Sequence, residues 1–197
     1  MATTMSKAEL LGAIAGLNRG ILATPRDRRL VVALATDLEA LNPTPDPLAA
    51  TDKLAGDWRL LYTSSQALLA LDRSPVVKLG HIYQCIRPQQ QRIYNIAEIY
   101  GLPLLEGIIS VLARFEPLTQ QRLQVYFERS IVGFRQWLNY YSPSQFIPQL
   151  QSRRPLVALD VPLNSNDQQG WLDITYLDDD LRIARGNEGS LFILSRV

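Results

Sequence analysis

Residues 123–128 read LQVYFE, in which apolar positions alternate with positions that are mostly polar. Residues 110–115, SVLARF, have the same two-residue period. Successive side chains of a β-strand point to opposite faces of the sheet, so this period predicts strands that bury one face. Both stretches therefore indicate a mainly β fold.

Further short segments with strand character follow one another along the chain, with turn-forming residues between them. They are residues 57–63, 81–87, 92–100, 131–140, 156–161, 171–177, 181–185 and 191–196. Many short strands separated by turns favour an antiparallel barrel or sandwich. Two segments do not fit a strand. Residues 65–71 are rich in Leu and Ala and predict a helical turn or lid, and residues 142–151 predict a short helix or a loop.

The N-terminal part of the chain has helical periodicity. A capping-box pattern, SKAE at residues 6–9, precedes Leu and Ile residues spaced three and four apart, which predicts a first helix over residues 6–22. Thr24 and Pro25 are typical of a helix start and predict a second amphipathic helix that ends near Leu41. We therefore expect two helices before the first strand.

A proline-rich segment separates these helices from the strands. The sequence NPTPDP at residues 42–47 cannot continue a helix and predicts a stiff linker that ends near Thr51. We accordingly divide the chain into residues 1–50, a helical pair with its linker, and residues 51–197, a β-barrel. A chain of 197 residues can bury one sizeable core but not two domains of usual size.

Composition limits the partners of the protein. Twenty Lys and Arg residues against 19 Asp and Glu, without a basic run, argue against a nucleic acid as the main partner. The single cysteine, Cys85, cannot form an intramolecular disulfide, and one histidine, His81, nearly excludes a structural zinc site. No apolar stretch reaches the roughly 18 residues of a transmembrane helix, so we expect any membrane contact to be peripheral.

Few residues are suited to catalysis. His81 lacks a G-x-S-x-G partner motif and is predicted to be structural or exposed, and Cys85 is predicted to pack within a strand. The acidic run at residues 178–180 lacks the spacing of a calcium-binding loop and predicts a turn whose carboxylates are solvated or paired with Arg182 and Arg185. We therefore expect a protein that is not an enzyme and has no metal and no cofactor.

Three motifs carry a resemblance to a known family. The first is LAGDWRLLYTS at residues 54–64, with Gly-x-Trp just before a strand; the others are GWLDITYLD at residues 170–178 and LRIARGNEGSLF at residues 181–192. Together they resemble the plastid lipid-associated protein family, also called fibrillins or plastoglobulins, from about residue 6 to residue 197. The C-terminal motif is the strongest part of the resemblance.

The resemblance implies a lipocalin-like antiparallel β-barrel that associates with thylakoids or lipid globules and handles prenylquinones, carotenoids or other lipids. It also implies that Gly56 allows a tight turn into the first strand and that Trp58 plugs the closed end of the barrel. The family supplies no agreed catalytic residues. Because no transit peptide is evident, the resemblance suggests a cyanobacterial member, located in the cytoplasm or peripherally on thylakoid membranes or lipid globules.

An eight-stranded barrel leaves room for its own side chains or for one small ligand. We expect an apolar guest with a polar head inside it, although alternating apolar residues are also what a filled core shows. An arginine from a late strand, Arg182, Arg185 or Arg196, is expected to stack on the Trp58 indole. Leu68, Leu69 and Leu71 are expected to form a lid. The candidate ligand-binding residues are Trp58, Leu60, Tyr62, Leu68, Leu69, Phe127, Tyr176, Arg182 and Arg185.

Only three of the 20 basic residues are lysine, namely Lys7, Lys53 and Lys78. Because the planar guanidinium suits fixed contacts, some arginines could line or close the barrel, but a composition bias of the source genome explains the excess equally well.

The leading functional hypothesis is a non-enzymatic lipid-binding or lipid-associated protein whose partner is a quinone, a carotenoid or a lipid. An alternative is an accessory protein that docks on a prenyl-lipid biosynthetic enzyme through the N-terminal helices. A third hypothesis is a bilin lyase, because cyanobacterial lyases of this kind are also lipocalin-like.

Overall fold

The computed structural model describes residues 2–70, 78–101, 106–152, 155–164 and 169–197. The helices in these ranges are α1 (Ala2–Ile14), α2 (Pro25–Glu39), α3 (Thr51–Leu54), α4 (Gln66–Ala70) and α5 (Pro143–Gln151). The strands are β1 (Gly56–Thr63), β2 (Lys78–Arg87), β3 (Arg92–Tyr100), β4 (Gly107–Pro117), β5 (Arg122–Phe134), β6 (Leu159–Pro162), β7 (Gln169–Leu177), β8 (Leu181–Gly186) and β9 (Leu191–Arg196).

Eight strands close into an antiparallel barrel. Each of β1 to β4 pairs with its successor, β5 pairs with β7, β7 with β8, β8 with β9, and β9 pairs back with β1. Strand β6 lies outside this ring and pairs with the last part of β5. The predicted fold class, mainly β with two N-terminal helices before a barrel, is confirmed.

The two-residue period of the sequence sets which side chains enter the barrel. Leu123 and Val125 of β5 belong to the cluster of buried residues inside the barrel, and Phe127 packs against it. On β8, Leu181 and Ile183 instead belong to a cluster on the outer face. Arg182 and Ala184 therefore point into the barrel, because side chains of a strand alternate between its faces.

The two N-terminal helices cover the outer face formed by β1, β7, β8 and β9. Leu10 of α1 and Val31 and Leu38 of α2 are fully buried there, in one cluster with Ile183 and Ile193. The apolar faces of both helices are thus used against the barrel. A third cluster lies on the outer face of β2 to β5, where Phe146, Ile147 and Leu150 of α5 cover Tyr94 and Ile96.

The predicted bounds of the first helix are wrong at both ends. Helix α1 already begins at Ala2, so Ser6 lies inside it rather than at its cap, and it ends at Ile14 instead of Leu22. Gly16, Asn18, Arg19 and Gly20 all have positive φ, which ends a right-handed helix.

Helix α2 begins as predicted but ends at Glu39, short of Leu41. The Thr24 hydroxyl accepts a hydrogen bond from the backbone N–H of Asp27, whose carboxylate accepts one from the Thr24 N–H. Near the predicted linker end, residues 51–54 form the short helix α3.

Several strand predictions also need correction. Residues 123–128 and 131–140 were expected as separate strands, but one long strand, β5, ends at Phe134. After it the chain turns: the N–H of Tyr140 donates to the carbonyl of Arg135, and Asn139 has positive φ. The expected strand at 156–161 is limited to the short β6. Residues 142–151 include helix α5 and the lid segment contains α4, whereas Leu71 lies outside the described residues.

Candidate ligand-binding site

A cavity of about 430 Å³ lies inside the barrel, and we call it the barrel cavity. This volume is near the lower end of the roughly 300–1,000 Å³ that is usual for small-molecule sites. Its lining is mainly apolar and comes from all eight strands of the ring. The apolar lining residues include Leu60, Ile82, Ile93, Val111, Val125, Phe127, Leu172, Phe192 and Leu194.

Residues from α4 and from the ends of β7 and β8 form the outer part of the cavity. Ala67 and Asn187 line it and are exposed, which marks where the cavity reaches solvent, and half-buried Leu68 lies beside them. The Asn187 side-chain oxygen accepts a 2.8 Å hydrogen bond from the backbone N–H of Trp171. The Trp171 indole lines the cavity, and the guanidinium of Arg122 stacks on it, with Cζ 4.4 Å from the ring centroid.

Trp58 closes the opposite end of the barrel. Its side chain is fully buried, and its indole N–H donates to the carbonyl of Leu54 in α3 at 3.0 Å. Two guanidinium groups lie near the ring, with the Cζ of Arg196 4.3 Å and the Cζ of Arg182 5.1 Å from its centroid. The predicted stack of a late-strand arginine on Trp58 is confirmed for these two residues. Arg185, the third candidate, lies on the other face of β8.

A row of polar side chains crosses the interior above Trp58. Arg182 Nη2 donates to Gln84 Oε1 at 2.6 Å, and Gln84 Nε2 donates to Asn95 Oδ1 at 2.9 Å. Gln84 and Asn95 line the barrel cavity, and Arg182 is fully buried next to Gln84. Burial lowers the pKa of Arg182 to about 9, so the guanidinium remains charged at neutral pH.

The sequence did not draw our attention to Gln84 or Asn95. The sequence does contain a signal for these two residues. Each amide stands at an alternate position between apolar residues, as in Ile82-x-Gln84-x-Ile86. A polar residue on the buried face of a strand requires a hydrogen-bond partner.

The proposed ligand-binding residues fall into three groups. Leu60, Leu68 and Phe127 line the barrel cavity. Trp58 and Arg182 lie at its closed end, and Leu69 is buried without being part of the lining. Tyr62, Tyr176 and Arg185 lie on the outer face, toward the N-terminal helices, and the structure does not bring them to the cavity.

Two β-bulges explain why the tyrosines point outward. The pairing of β1 with β9 shifts by one residue between Leu60 and Tyr62, and that of β7 with β8 shifts between Ile174 and Tyr176. A single inserted residue moves the following side chains to the other face of a strand. Tyr62 and Tyr176 are therefore fully buried under α1 and α2 instead of facing the cavity.

Arg185 links the barrel to α2. Its Nε donates to Glu39 Oε1 at 2.9 Å and its Nη2 to Glu39 Oε2 at 2.7 Å. The two parallel contacts form a bidentate pair of the kind that fixes orientation. Arg185 therefore holds a helix in place on the outside of the barrel.

The acidic run pairs with different cations than expected. Asp178 contacts Lys7 of α1 at 2.8 Å and accepts a 2.7 Å hydrogen bond from the Tyr176 hydroxyl, while Asp179 lies 3.4 Å from Lys53. Neither carboxylate is paired with Arg182 or Arg185. In the described residues no three His, Cys, Asp or Glu side chains come together as a metal site.

His81 and Cys85 both lie on β2 but differ in burial. His81 is exposed and lies edge-on to Tyr83 with ring centroids 6.0 Å apart. Cys85 is fully buried, and burial raises the pKa of its thiol far above the usual range. The thiol stays protonated at neutral pH and is a weak nucleophile in that form.

The chain is similar over nearly its whole length to plastid proteins of one family. The family model PAP_fibrillin matches residues 4–195. The light-induced chloroplastic protein of Solanum tuberosum is 34% identical over 215 residues, covering 95% of this chain and 66% of that protein. Plastid lipid-associated protein 1 of Brassica campestris is 32% identical over 98% of this chain and 67% of its own length. The chromoplast-specific carotenoid-associated protein C1 of an Oncidium hybrid cultivar is 32% identical over 95% of this chain and 67% of its own length.

These relatives are longer than the region they share with this chain, which spans about two thirds of their length. No solved structure matches the chain significantly. Among the described residues no helix has the length and apolar character needed to cross a membrane. The match over nearly the whole chain shows that this protein belongs to the PAP/fibrillin family.

Proposed function

We propose that this protein is a non-enzymatic lipid-binding protein of photosynthetic membranes that holds a prenylquinone, a carotenoid or another apolar molecule in the barrel cavity. The cavity of about 430 Å³ with its apolar lining is the observation that carries this proposal. The printed names of two relatives, a plastid lipid-associated protein and a carotenoid-associated protein, agree with it. The protein would act on the surface of thylakoid membranes or lipid globules.

The outer part of the cavity suits the entry of an apolar molecule. Leu68 and Trp171 lie there, where α4 and the start of β7 meet solvent. An apolar guest would replace water on these side chains and gain roughly 25 cal/mol for each Å² of apolar surface that it buries. Trp171 also provides a reporter, because a quinone or carotenoid bound beside it would quench its fluorescence.

The experiment is to titrate the purified protein with decyl-plastoquinone and with β-carotene while recording tryptophan fluorescence. We expect saturable quenching that is strongly reduced in Trp171→Phe, in which Trp58 and Trp137 still emit. Val111→Phe, which fills the cavity, should abolish binding, whereas Val132→Phe, at an exposed position of β5, should not. Equal quenching in Val111→Phe and the native protein would disprove binding in the cavity.

The accessory-protein alternative would have to use the outward face of the helical pair, where Leu30 and Val32 of α2 are exposed. The apolar faces of α1 and α2 are buried against the barrel through residues such as Leu10 and Leu38. Those buried side chains are therefore not available to a partner, and the barrel cavity remains the stronger basis for a function. Among the described residues no contact favours a bilin lyase.

A further inference from the structure

We propose that the closed end of the barrel cavity binds the carboxylate of a single-chain lipid, with Arg182 as the residue that receives it. The ligand class would be a free fatty acid or a similar carboxylate with one apolar chain. This inference deepens the proposed function and rests on it, because it requires that the cavity take up a guest.

Arg182 is a buried cation with unused hydrogen-bond donors. Its side chain is fully buried, and only Nη2 has a partner, Gln84 Oε1 at 2.6 Å. Nε and Nη1 have no hydrogen-bond partner among the described residues. Buried donors are nearly always paired, since leaving one unpaired costs its full desolvation energy. Nε and Nη1 lie on different edges of the planar group, so a guest carboxylate would pair with one of them and with the second N–H of Nη2.

The Arg182 side chain lies on the inner face of β8. Leu181 and Ile183, the neighbours of Arg182 along β8, belong to the outer cluster under the helices, so Arg182 points inward. The next inward residues on β8 are Ala184 and then Gly186, which lines the cavity. Both are small. Gln84, which accepts the hydrogen bond from Arg182, lines the cavity and thus connects the guanidinium to it.

The surrounding charges favour an anion over a neutral head group. Arg196, whose guanidinium also lies on the Trp58 ring, is close enough to repel Arg182 and lower its pKa. The nearby Cys85 thiol is held neutral by burial. Asp57, next to Trp58 on β1, is already engaged by Arg87 Nη2 at 2.7 Å. The positive charge at the closed end is therefore left without a carboxylate from the described residues.

Arg196, the other arginine on the Trp58 ring, has no unpaired nitrogen. Arg196 Nε donates to the carbonyl of Asp179 at 2.7 Å and Nη1 to that of Ala55 at 2.6 Å, and Nη2 donates to the carbonyl of Lys53. All of its nitrogens are thus engaged by the backbone. Arg182, in contrast, keeps an edge of its planar fork available, and such an edge matches the two oxygens of a carboxylate.

The geometry also sets the orientation of the guest. A carboxylate at Arg182 would share the polar end of the cavity with the amides of Gln84 and Asn95, which are linked by a 2.9 Å hydrogen bond. Its chain would then run past Val125 and Phe127 toward Leu68 at the outer end. At about 430 Å³ the cavity fits one chain better than the two chains of a membrane diacyl lipid.

The first test compares three guests that have the same chain. Dissociation constants of the native protein are measured by isothermal titration for oleate, methyl oleate and oleyl alcohol. We expect oleate to bind at least tenfold more tightly than either neutral compound. Equal affinities for all three would overturn the carboxylate site and leave the proposed function intact, whereas binding of none of them, nor of a quinone or carotenoid, would overturn both.

Two variants on opposite faces of β8 test the residue itself. Arg182→Met should bind methyl oleate as the native protein does but lose the tenfold preference for oleate. Arg185→Met removes a cation from the same strand on the outer face and should keep the preference. If Arg182→Met does not fold, as judged by near-ultraviolet circular dichroism, the neutral polar variant Arg182→Gln replaces it. A full preference for oleate in a folded Arg182 variant would overturn the assignment.

Discussion

The guanidinium of Arg196 lies on the indole of Trp58, with its Cζ 4.3 Å from the ring centroid. This contact joins the last residue of β9 to the beginning of β1, the two strands whose pairing closes the barrel. Arg196 also donates to backbone carbonyls of Ala55 and Asp179. One side chain thus ties the closed end of the barrel to the turn between β7 and β8.

Removal of the indole at this end should destabilise the protein strongly. Trp58→Ala leaves a cavity among fully buried neighbours and takes away the surface on which Arg182 and Arg196 lie. We expect the free energy of unfolding to fall by about 3–5 kcal/mol. Urea denaturation measures it. Trp137→Ala is the control, because that indole is 58% exposed and its loss should cost clearly less.

The helical pair should contribute to barrel stability through its buried face. Leu38 packs against the barrel and is 0% exposed, whereas Leu30 on the same helix is 50% exposed. We expect Leu38→Ala to lower the free energy of unfolding by about 2–5 kcal/mol and Leu30→Ala by a small fraction of that. Equal midpoints of thermal unfolding for the two variants would show that α2 does not support the barrel.

Asp178 should make stability depend on pH. Burial alone raises the pKa of this carboxyl, but hydrogen bonds from Lys7, the Tyr176 hydroxyl and the backbone N–H groups of Asp180 and Leu181 outweigh it and hold the pKa below the usual range. Its stabilisation is therefore present above the unfolded-state pKa of about 4 and is lost as the pH falls toward the lower folded-state value.

We thus expect Asp178→Asn to unfold more easily than the native protein at pH 7, by on the order of 1–3 kcal/mol. The difference should shrink as the pH is lowered below about 4. Urea midpoints measured from pH 7 to pH 2.5 test this. Asp179→Asn serves as the control, since its side chain is 87% exposed and should change the profile little. A constant difference at every pH would contradict the prediction.

Two adjacent leucines of α4 should separate binding from stability. Leu68 lines the barrel cavity and is half-buried, whereas Leu69 is 8% exposed and does not line it. Leu68→Ser should weaken binding of decyl-plastoquinone with little change in the thermal midpoint. Leu69→Ser should lower the midpoint instead, as a buried large-to-small change does. If Leu68→Ser only lowers stability, this leucine is part of the core and does not guard an opening.

The sequence was sufficient for the parts of the fold that depend on local patterns. Alternation placed Leu123 and Val125 on a buried face, and the family resemblance that includes the Gly-x-Trp pair placed Trp58 at the closed end of the barrel. The sequence was not sufficient where the pairing with a neighbouring strand decides to which face a side chain points. Tyr62 and Tyr176 follow bulges that become visible only in the register with β9 and β8.

Contacts between distant parts of the chain were equally inaccessible. Lys7 and Asp178 are separated by 171 positions, so the sequence pattern predicted only that Asp178 is solvated or paired with the nearby arginines. The polar row from Arg182 to Asn95 joins three strands, and the sequence shows only that its two amides alternate with apolar residues, not which side chains they meet. Both depend on which faces meet in the folded protein.

Gly56 should be required for the closed end because of its backbone and its neighbour. Its φ is +144°, and a Cβ built on it would lie 2.5 Å from Arg196 Nη1. Gly56→Ala therefore strains the backbone and also displaces the guanidinium from the Trp58 ring. We expect a loss of about 1–3 kcal/mol in the free energy of unfolding, measured in urea, together with a changed near-ultraviolet signal of the buried indole.

A second glycine separates these two causes. Gly189 also has positive φ, +70°, but a Cβ there would meet nothing within 4 Å. Gly189→Ala should show the cost of backbone strain alone and leave the Trp58 signal unchanged. If Gly56→Ala costs no more than Gly189→Ala and also preserves that signal, the close approach of Arg196 is not what requires glycine at position 56. A larger loss, accompanied by the spectral change, would show that Arg196 and Trp58 close the barrel together.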